Sequence, residues 1–343
     1  MILIRNATPK DTAAVIRLAR FLNSYNLPAD ERVIRRLIKD SLKSFRGKPL
    51  PVYRRCFIFI AEDTSSKRVV GCSLIIARHG TPQLPHLSFK LGIESKTSVS
   101  IKKTIEHRTL KLHVDRTGFT EIGGLVVHPK FRRSKEKLGK QLSYVRFAYM
   151  SRHPHRFRRR LLVEYLPKQN TLKGNSLWHV LGEKFTHLRY QEADRLSALN
   201  KEFILRLFPK EKIYCSLLPK FATKDIALPS KGAEASLKLL QKIGFRFLNQ
   251  VDPFDGGPHY GTEFSRIGVI KHTVFLKVHL LKNSKHQISS NVRYLIMKET
   301  KGNIRAIATP FNIYRGAAQL PPQAAQALKL HGGEKLSVTP FGI

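Results

Sequence analysis

Apolar and polar positions along the chain change period in short blocks, and the blocks predict a mixture of strands and helices. Ile2 to Arg5 alternates as a first strand. Thr8-Pro-Lys-Asp11 then supplies an N-cap, a proline at the first helical position and a carboxylate at the third. Val15, Leu18, Ala19 and Leu22 recur at helical spacing, and a second helix is expected from about Asp30 to Phe45 on the stripe Val33, Leu37, Ile38 and Leu42. Cys56 to Glu62 and Val69 to Ala77 read as apolar strands joined by the polar connection Asp63-Thr-Ser-Ser-Lys-Arg68. From Gly80 to Arg116 runs a long insertion with alternating stretches at Leu87 to Leu91 and Leu110 to Val114, which the pattern places no further.

The run Ile122 to Val127 is short, apolar and interrupted by Gly123 and Gly124, the signature of a buried strand that another backbone or a ligand approaches closely. Pro129 stops it. Arg132, Arg133 and Gly139 follow, and Leu142, Val145, Phe147 and Met150 begin a helix. Cations and free helix N–H donors are thereby gathered at one end of the strand, where a pyrophosphate would sit. Leu161 to Leu166 reads as the next strand and carries Glu164 among apolar neighbours, so this carboxylate is either a candidate for handling an amine or half of a structural ion pair.

Beyond it, Asn175 to Phe185 is expected as a helix closed by Gly182 that buries Trp178, and Gln191 to Phe208 continues with helical period. Ile213 to Leu218 is a short strand, and Ala233 to Ile243 is a helix ending in Gly244-Phe245. The two glycine-terminated helices leave open an internal duplication after about residue 170. Val251-Asp-Pro-Phe-Asp-Gly-Gly-Pro-His259 is dense turn chemistry, either a tight loop or a site on which Asp252, Asp255 and His259 converge. From Arg266 the pattern turns to short strands at Val274 to Leu280, Val292 to Met297 and Ile304 to Ala308, a helix at Pro321 to Leu330 and a last strand at Leu336 to Val338. Two units are expected: residues 1–265, and a small α+β appendage over 266–343.

At 343 residues and 42% hydrophobic composition the chain builds a sizeable core and is not a disordered tail. No apolar run reaches the eighteen residues of a membrane helix, and the N-terminus carries no secretion signal, so a cytoplasmic protein is expected. Cys56, Cys72 and Cys215 read as reduced core thiols, and no metal site is expected. The net charge of +38 is the anomaly. It attracts anions, among them phosphorylated cofactors and nucleic acid, without choosing between them, and solvated basic faces are the simpler reading. The densest cluster, Arg152 to Arg160, offers only Phe157 to stack on a base.

The order strand, hydrophobic-His-Pro-x-aromatic-Arg, helix resembles the GNAT-type acyl-CoA N-acyltransferases. More specifically, the chain resembles arginine N-succinyltransferase over nearly its full length. The resemblance is carried by Thr117-Gly118 with Glu121 and Leu125; Pro129-Lys130 with Arg132; Trp178 with Leu181-Gly182 and Phe185; and Ala193-Asp194. It continues through Phe203-Ile204, Pro209-Lys210, Ile213-Tyr214, Gly244-Phe245-Arg246 and Phe254-Asp-Gly-Gly-Pro258. It implies an α/β GNAT-like fold and transfer of a succinyl group from succinyl-CoA to the α-amine of arginine, a step of arginine catabolism. It further implies that Leu125 lies at the succinyl-CoA site; Val126, Arg132, Arg133 and Gly139 are the other candidates to hold the acyl-CoA, and because the overall field repels a cationic acceptor, Glu121, Glu164 and Asp255 are candidates to face the amine. A homo-oligomer is compatible with it; nucleic acid and membrane partners are not favoured.

Where the family has a proton-donor histidine, counting back from Gly244 arrives at Ser230, which cannot titrate near neutral pH. The phosphate loop keeps one glycine, Gly139, and adds lysines, and Tyr165-Leu166 replaces an expected Arg-Gly. Replacement acids would be His128, His259 or Glu164. Two alternatives follow: a catalytically weakened scaffold that binds nucleic acid or another polyanion, and an acyltransferase with a different donor or amine acceptor.

Overall fold

The computed structural model describes residues 1–22, 26–168, 177–278, 292–314 and 316–342. Strand β1 (Ile2–Asn6) leads through a 3-10 turn into helix α1 (Thr12–Ala19). The Thr8 N–H donates to Asp11 Oδ2 at 2.7 Å, so the capping chemistry forms as the sequence predicts. Helix α2 (Glu31–Phe45) starts where Asp30 Oδ1 accepts from Val33 N at 2.9 Å. Its buried side is Ile34, Ile38, Ser41 and Phe45, while Val33, Leu37 and Leu42 are only half-buried. The expected stripe is rotated because Ser41 turns inward, where its Oγ accepts from Ile58 N at 2.8 Å.

Strands β2 (Cys56–Asp63) and β3 (Val69–His79) form the expected hairpin. Alternation along β2 sends Phe57 and Phe59 to one face and Ile58 and Ile60 to the other, so α1 and α2 cover one side of the sheet. The insertion is a long hairpin, β4 (His86–Ser98) with β5 (Lys103–Asp115), paired from His86↔Asp115 to Ser98↔Lys103. Next come β6 (Phe119–Val127) and α3 (Leu138–Arg152), a helix buried nearly all round from Gln141 to Met150, polar Gln141, Ser143 and Arg146 included: Tyr144, Phe147, Tyr149 and Met150 are all inaccessible. Strand β7 (Arg160–Glu164) lies parallel to β6. Part of the basic segment before it is used internally, while Arg158 and Arg159 are exposed. Arg152 pairs with Glu299, Arg156 donates to the Tyr149 hydroxyl at 2.8 Å, Arg160 pairs with Asp115 at 2.7 Å and Phe157 packs against Phe57.

Asn175 and Ser176 lie outside the described residues. Trp178 opens a π-turn that runs straight into α4 (Glu183–Thr186), so Gly182 does not close a helix. A Cβ there would lie 2.3 Å from the Trp178 ring: the glycine makes room for the indole, which stacks on Phe254 at 4.4 Å. The expected run from Gln191 to Phe208 is two helices, α5 (Tyr190–Ser197) and α6 (Glu202–Leu207), separated where Asn200 Oδ1 accepts from Glu202 N at 2.8 Å. Strand β8 (Ile213–Tyr214) is shorter than expected, because a 3-10 turn takes Cys215–Leu217. After α7 (Lys220–Thr223), α8 (Glu234–Lys242) ends as predicted at Gly244, whose φ is +108°. Strands β9 (Arg246–Val251) and β10 (Pro258–Glu263) flank the Asp-Gly-Gly turn.

The C-terminal part comprises α9 (Gly268–Lys271), β11 (Val274–Lys277), β12 (Tyr294–Thr300), β13 (Asn303–Thr309), β14 (Asn312–Tyr314), β15 (Ala317–Gln319), α10 (Pro322–Leu328) and β16 (Lys335–Pro340). Leu280, the expected end of β11, is outside the described residues. Among those residues fourteen strands form one sheet in the order β11-β16-β12-β13-β1-β2-β3-β6-β7-β10-β9-β4-β5-β8. The C-terminal strands extend this sheet through β13, which pairs with β1 at Ile4↔Ala306. Cys56, Cys72 and Cys215 are free and buried, and no described helix is long and apolar enough to cross a membrane.

Candidate active site

The parallel pair β6–β7 is joined only at Thr120↔Leu161 and Glu121↔Leu162. Past Glu121, β6 continues to Val127 on β3 alone, and its other edge parts from β7. The β3 pairing shifts register between Cys72 and Leu74, and opposite this irregularity Gly124 takes φ +56°, a left-handed conformation that suits glycine. This opening is the splayed edge anticipated from Gly123-Gly124. Leu125 is half-buried and packs toward α3, whereas Val126 is buried on the α1–α2 side. At the far end Arg132 is exposed and donates from Nε to Val127 O at 3.1 Å; Arg133 is exposed, and Gly139 is in the first turn of α3.

Glu164 ends β7 at the mouth of the opening, with its side chain 24% exposed. Three imidazoles surround one of its oxygens. His86 Nδ1 is 3.5 Å from Oε1, His259 Nε2 3.9 Å and His79 Nε2 4.0 Å. Glu121 stands fully buried behind them, its Oε2 2.7 Å from His79 Nδ1 and its Oε1 accepting from Asn26. Glu121 thus places its charge directly against His79. Asp255 is buried beside Asp252 in the turn before β10: Asp252 Oδ1 accepts from Phe254 N at 2.7 Å, and Asp255 Oδ1 from Gly257 N at 2.7 Å. Ser230 sits on the β7 side, where its N–H donates to Leu166 O at 2.9 Å and Pro229 bridges Pro167. His128 is apart from this group, edge-on to Phe21 and Phe131.

The electrostatics follow from burial and from the crowding of like charges. Burial, reinforced by Glu121, pushes the Glu164 carboxyl up to about 8, with His79 opposing. For His79 burial acts downward, but the charge and hydrogen bond of Glu121, aided by Glu164, outweigh it and raise the pKa. Burial and then the charge of His79 bring His259 down to about 3 and hold His86 well below the ordinary range, so both rings are neutral. Asp255 is raised by burial and Asp252, Asp194 is pushed up to about 6 by burial and Asp252, and burial lowers Lys201 against the pull of Glu164, Asp252 and Glu121. Among the described residues, both ring nitrogens of His259 and Nε2 of His86 have no hydrogen-bond partner.

Two sets of donors, His79–His86–Glu164 and Glu164–Asp252–His259, each gather within 4.8 Å. Tetrahedral zinc with ligands at 2.0–2.1 Å needs donor edges of roughly 3.4 Å, so closing on a metal requires His79 and His259 to move inward. Sequence reasoning singled out Glu164 and, separately, offered a convergence of Asp252, Asp255 and His259 as one of two readings of the turn; the structure places His259 3.9 Å from Glu164. Sequence reasoning missed His79, His86, Asn26 and Lys201. His79 and His86 flank the start of the unplaced insertion, and the one signal there was a Pro85-His86 pair opening an alternating stretch.

A family model described as the arginine N-succinyltransferase beta subunit matches residues 2–269. The chain belongs to that family. It is 28% identical over 342 residues to the arginine N-succinyltransferase subunit beta of Pseudomonas aeruginosa, covering 99% of this chain and 98% of that one. It is 28% identical over 339 residues to the arginine N-succinyltransferase of Citrobacter koseri, covering 98% and 96%. The solved structure of arginine/ornithine succinyltransferase subunit AI from Pseudomonas aeruginosa superposes with a TM-score of 0.81 at 27% identity, over 100% of this chain and 99% of that chain. The mixed α/β, GNAT-like fold of this arginine N-succinyltransferase family member, and its class as an acyltransferase, agree with the expectation from its motifs.

Proposed function

We propose that this chain transfers the succinyl group of succinyl-CoA to the α-amine of L-arginine, with Glu164 as the base. The observation that carries the reading is Glu164 itself, a partly open carboxylate with a pKa of about 8 at the mouth of the β6–β7 opening. The unpaired edge of β6 from Gly123 to Val127 offers backbone groups to an extended thioester carrier. Arg132, Arg133 and the first-turn amides of α3 near Gly139 suit its phosphates. Burial raises the pKa values of Asp252, Asp255 and Asp194, with Asp252 adding to the other two, and a guanidinium would favour their charged forms inside a chain whose overall field repels cations.

The substrate ammonium gives one proton to Glu164. The freed amine attacks the thioester carbon; the C–N bond forms, the carbonyl oxygen takes negative charge, and the C–S bond breaks as the carbonyl reforms. The departing thiolate receives a proton from His79, whose pKa Glu121 raises; the surplus proton on the acylated nitrogen passes to the neutral ring that remains, and Glu164 returns its proton to solvent. This assigns to His79 the acid that Ser230 cannot be; Ser230 lines the β7 wall as an orienting hydroxyl.

Thiol release from succinyl-CoA with L-arginine, together with mass identification of N-succinylarginine, tests the reading. Turnover that survives exhaustive chelation is expected. Absence of product with intact wild-type protein, or product only after metal addition, overturns it.

A further inference from the structure

Arg146 is 2% exposed in the middle of α3, and among the described residues it has no carboxylate partner. Its Nε donates to Ser143 O at 3.3 Å, its Nη2 to Ser143 Oγ at 3.1 Å and its Nη1 to Gly123 O at 3.4 Å. All three acceptors are neutral, two belong to its own helix and the third bond is long. Burial lowers its pKa to about 10, so it stays charged at neutral pH. A cation held this way is costly unless an anion joins it, and the planar guanidinium fork matches a carboxylate in two parallel bonds.

The position of Arg146 says which anion. β6 runs out to the phosphate end and α3 returns along it. From Gly139 to Arg146 is seven residues, roughly 10 Å of helix, and from Val127 back to Gly123 is four residues, roughly 13 Å of strand. Arg146 thus meets Gly123, two residues past the last β6–β7 rung, at the end of the opening opposite the phosphates. A carrier lying along β6 with its phosphates near Gly139 brings its acyl tail there. The free carboxylate of a four-carbon diacid lies about 5 Å beyond the thioester carbon by bond lengths alone.

We infer that Arg146 is the acyl-carboxylate subsite: it binds the distal carboxylate of a dicarboxylic acyl-CoA and makes the enzyme choose it over monocarboxylic acyl groups. This depends on the acyltransfer reading. The competing role is purely structural, a cap for the Gly123 carbonyl that the opening strands.

The test compares succinyl-CoA, its terminal carboxamide analogue and butyryl-CoA, by kcat/KM with saturating L-arginine and by calorimetric binding, in wild type, Arg146→Met and Arg146→Lys. Wild type is expected to prefer succinyl-CoA over both neutral analogues by about 10²-fold or more. Arg146→Met should lose that preference, with butyryl-CoA changed less than about threefold, and Arg146→Lys should fall between. Equal losses for all three donors in a folded Arg146→Met, or an unchanged preference, overturn the subsite. If Arg146→Met does not fold, wild type decides: equal affinity for succinyl-CoA and its carboxamide overturns the inference. Binding of no acyl-CoA at all instead removes the acyltransfer reading, a distinct result.

Discussion

The proposed reaction turns on one side chain, Glu164, and its pKa of about 8 has two consequences of opposite kind. As a base it must be ionised, so kcat/KM should rise with pH up to about 8, and Glu164→Gln should abolish that limb while lowering kcat by about 10²–10⁴; a pH series of thiol release reads both. For stability the sign reverses. A carboxyl raised from 4.5 to about 8 contributes stability that is complete below 4.5 and is lost as pH rises through 8. Glu164→Gln remains neutral throughout, and is therefore expected to melt above wild type at pH 9 and alongside it at pH 5. Roughly 2–4 °C should appear for each kcal/mol recovered. A residue that is inert for catalysis but paired for structure would give the opposite ordering.

Element by element, glycines set the geometry that the chemistry uses. Gly124 takes φ +56° at the register shift of β6, and a Cβ there would meet Leu74 Cβ at 3.0 Å. Gly124→Ala should cost about 1–2 kcal/mol in urea unfolding, and should raise the KM for acyl-CoA more than that for arginine. Gly182→Ala acts elsewhere: its methyl collides with the Trp178 indole, costing about 3 kcal/mol, the upper end for overpacking, with KM values unchanged in whatever folds. Glycines of both kinds could be singled out in the sequence, but their reasons could not. Gly182 read as a helix stop because glycine after a periodic run usually ends it, and only the packing of Trp178 on Phe254 reveals a glycine needed for space. The α2 stripe was displaced for a similar reason, a serine turned inward to the backbone of Ile58, which hydrophobic periodicity does not register.

For the whole molecule, a net charge of +38 surrounds a buried cluster of carboxyls, so in the proposed reaction the two substrates should respond to salt in opposite directions. Between about 0.05 and 0.5 M NaCl, as the screening length falls, the KM for acyl-CoA should rise several-fold while that for arginine stays level or falls; parallel increases would place the arginine site outside the acidic cluster. The local order of the chain was already written in its sequence. The caps at Thr8 and Asp30, the strand before Pro129, the helix ended by Gly244 and the turn through Asp252 and Asp255 all depend on neighbours within a few residues, where propensity and spacing act. The meeting of His79, His86, Glu164 and His259 depends on contacts 78 to 173 positions apart, through β3, β4, β7 and β10 in one sheet. Spacing along a chain carries no information about such distances, so the sequence by itself determined the elements and the family pattern. Strand order and the parting of β6 from β7 decided which side chains stand together.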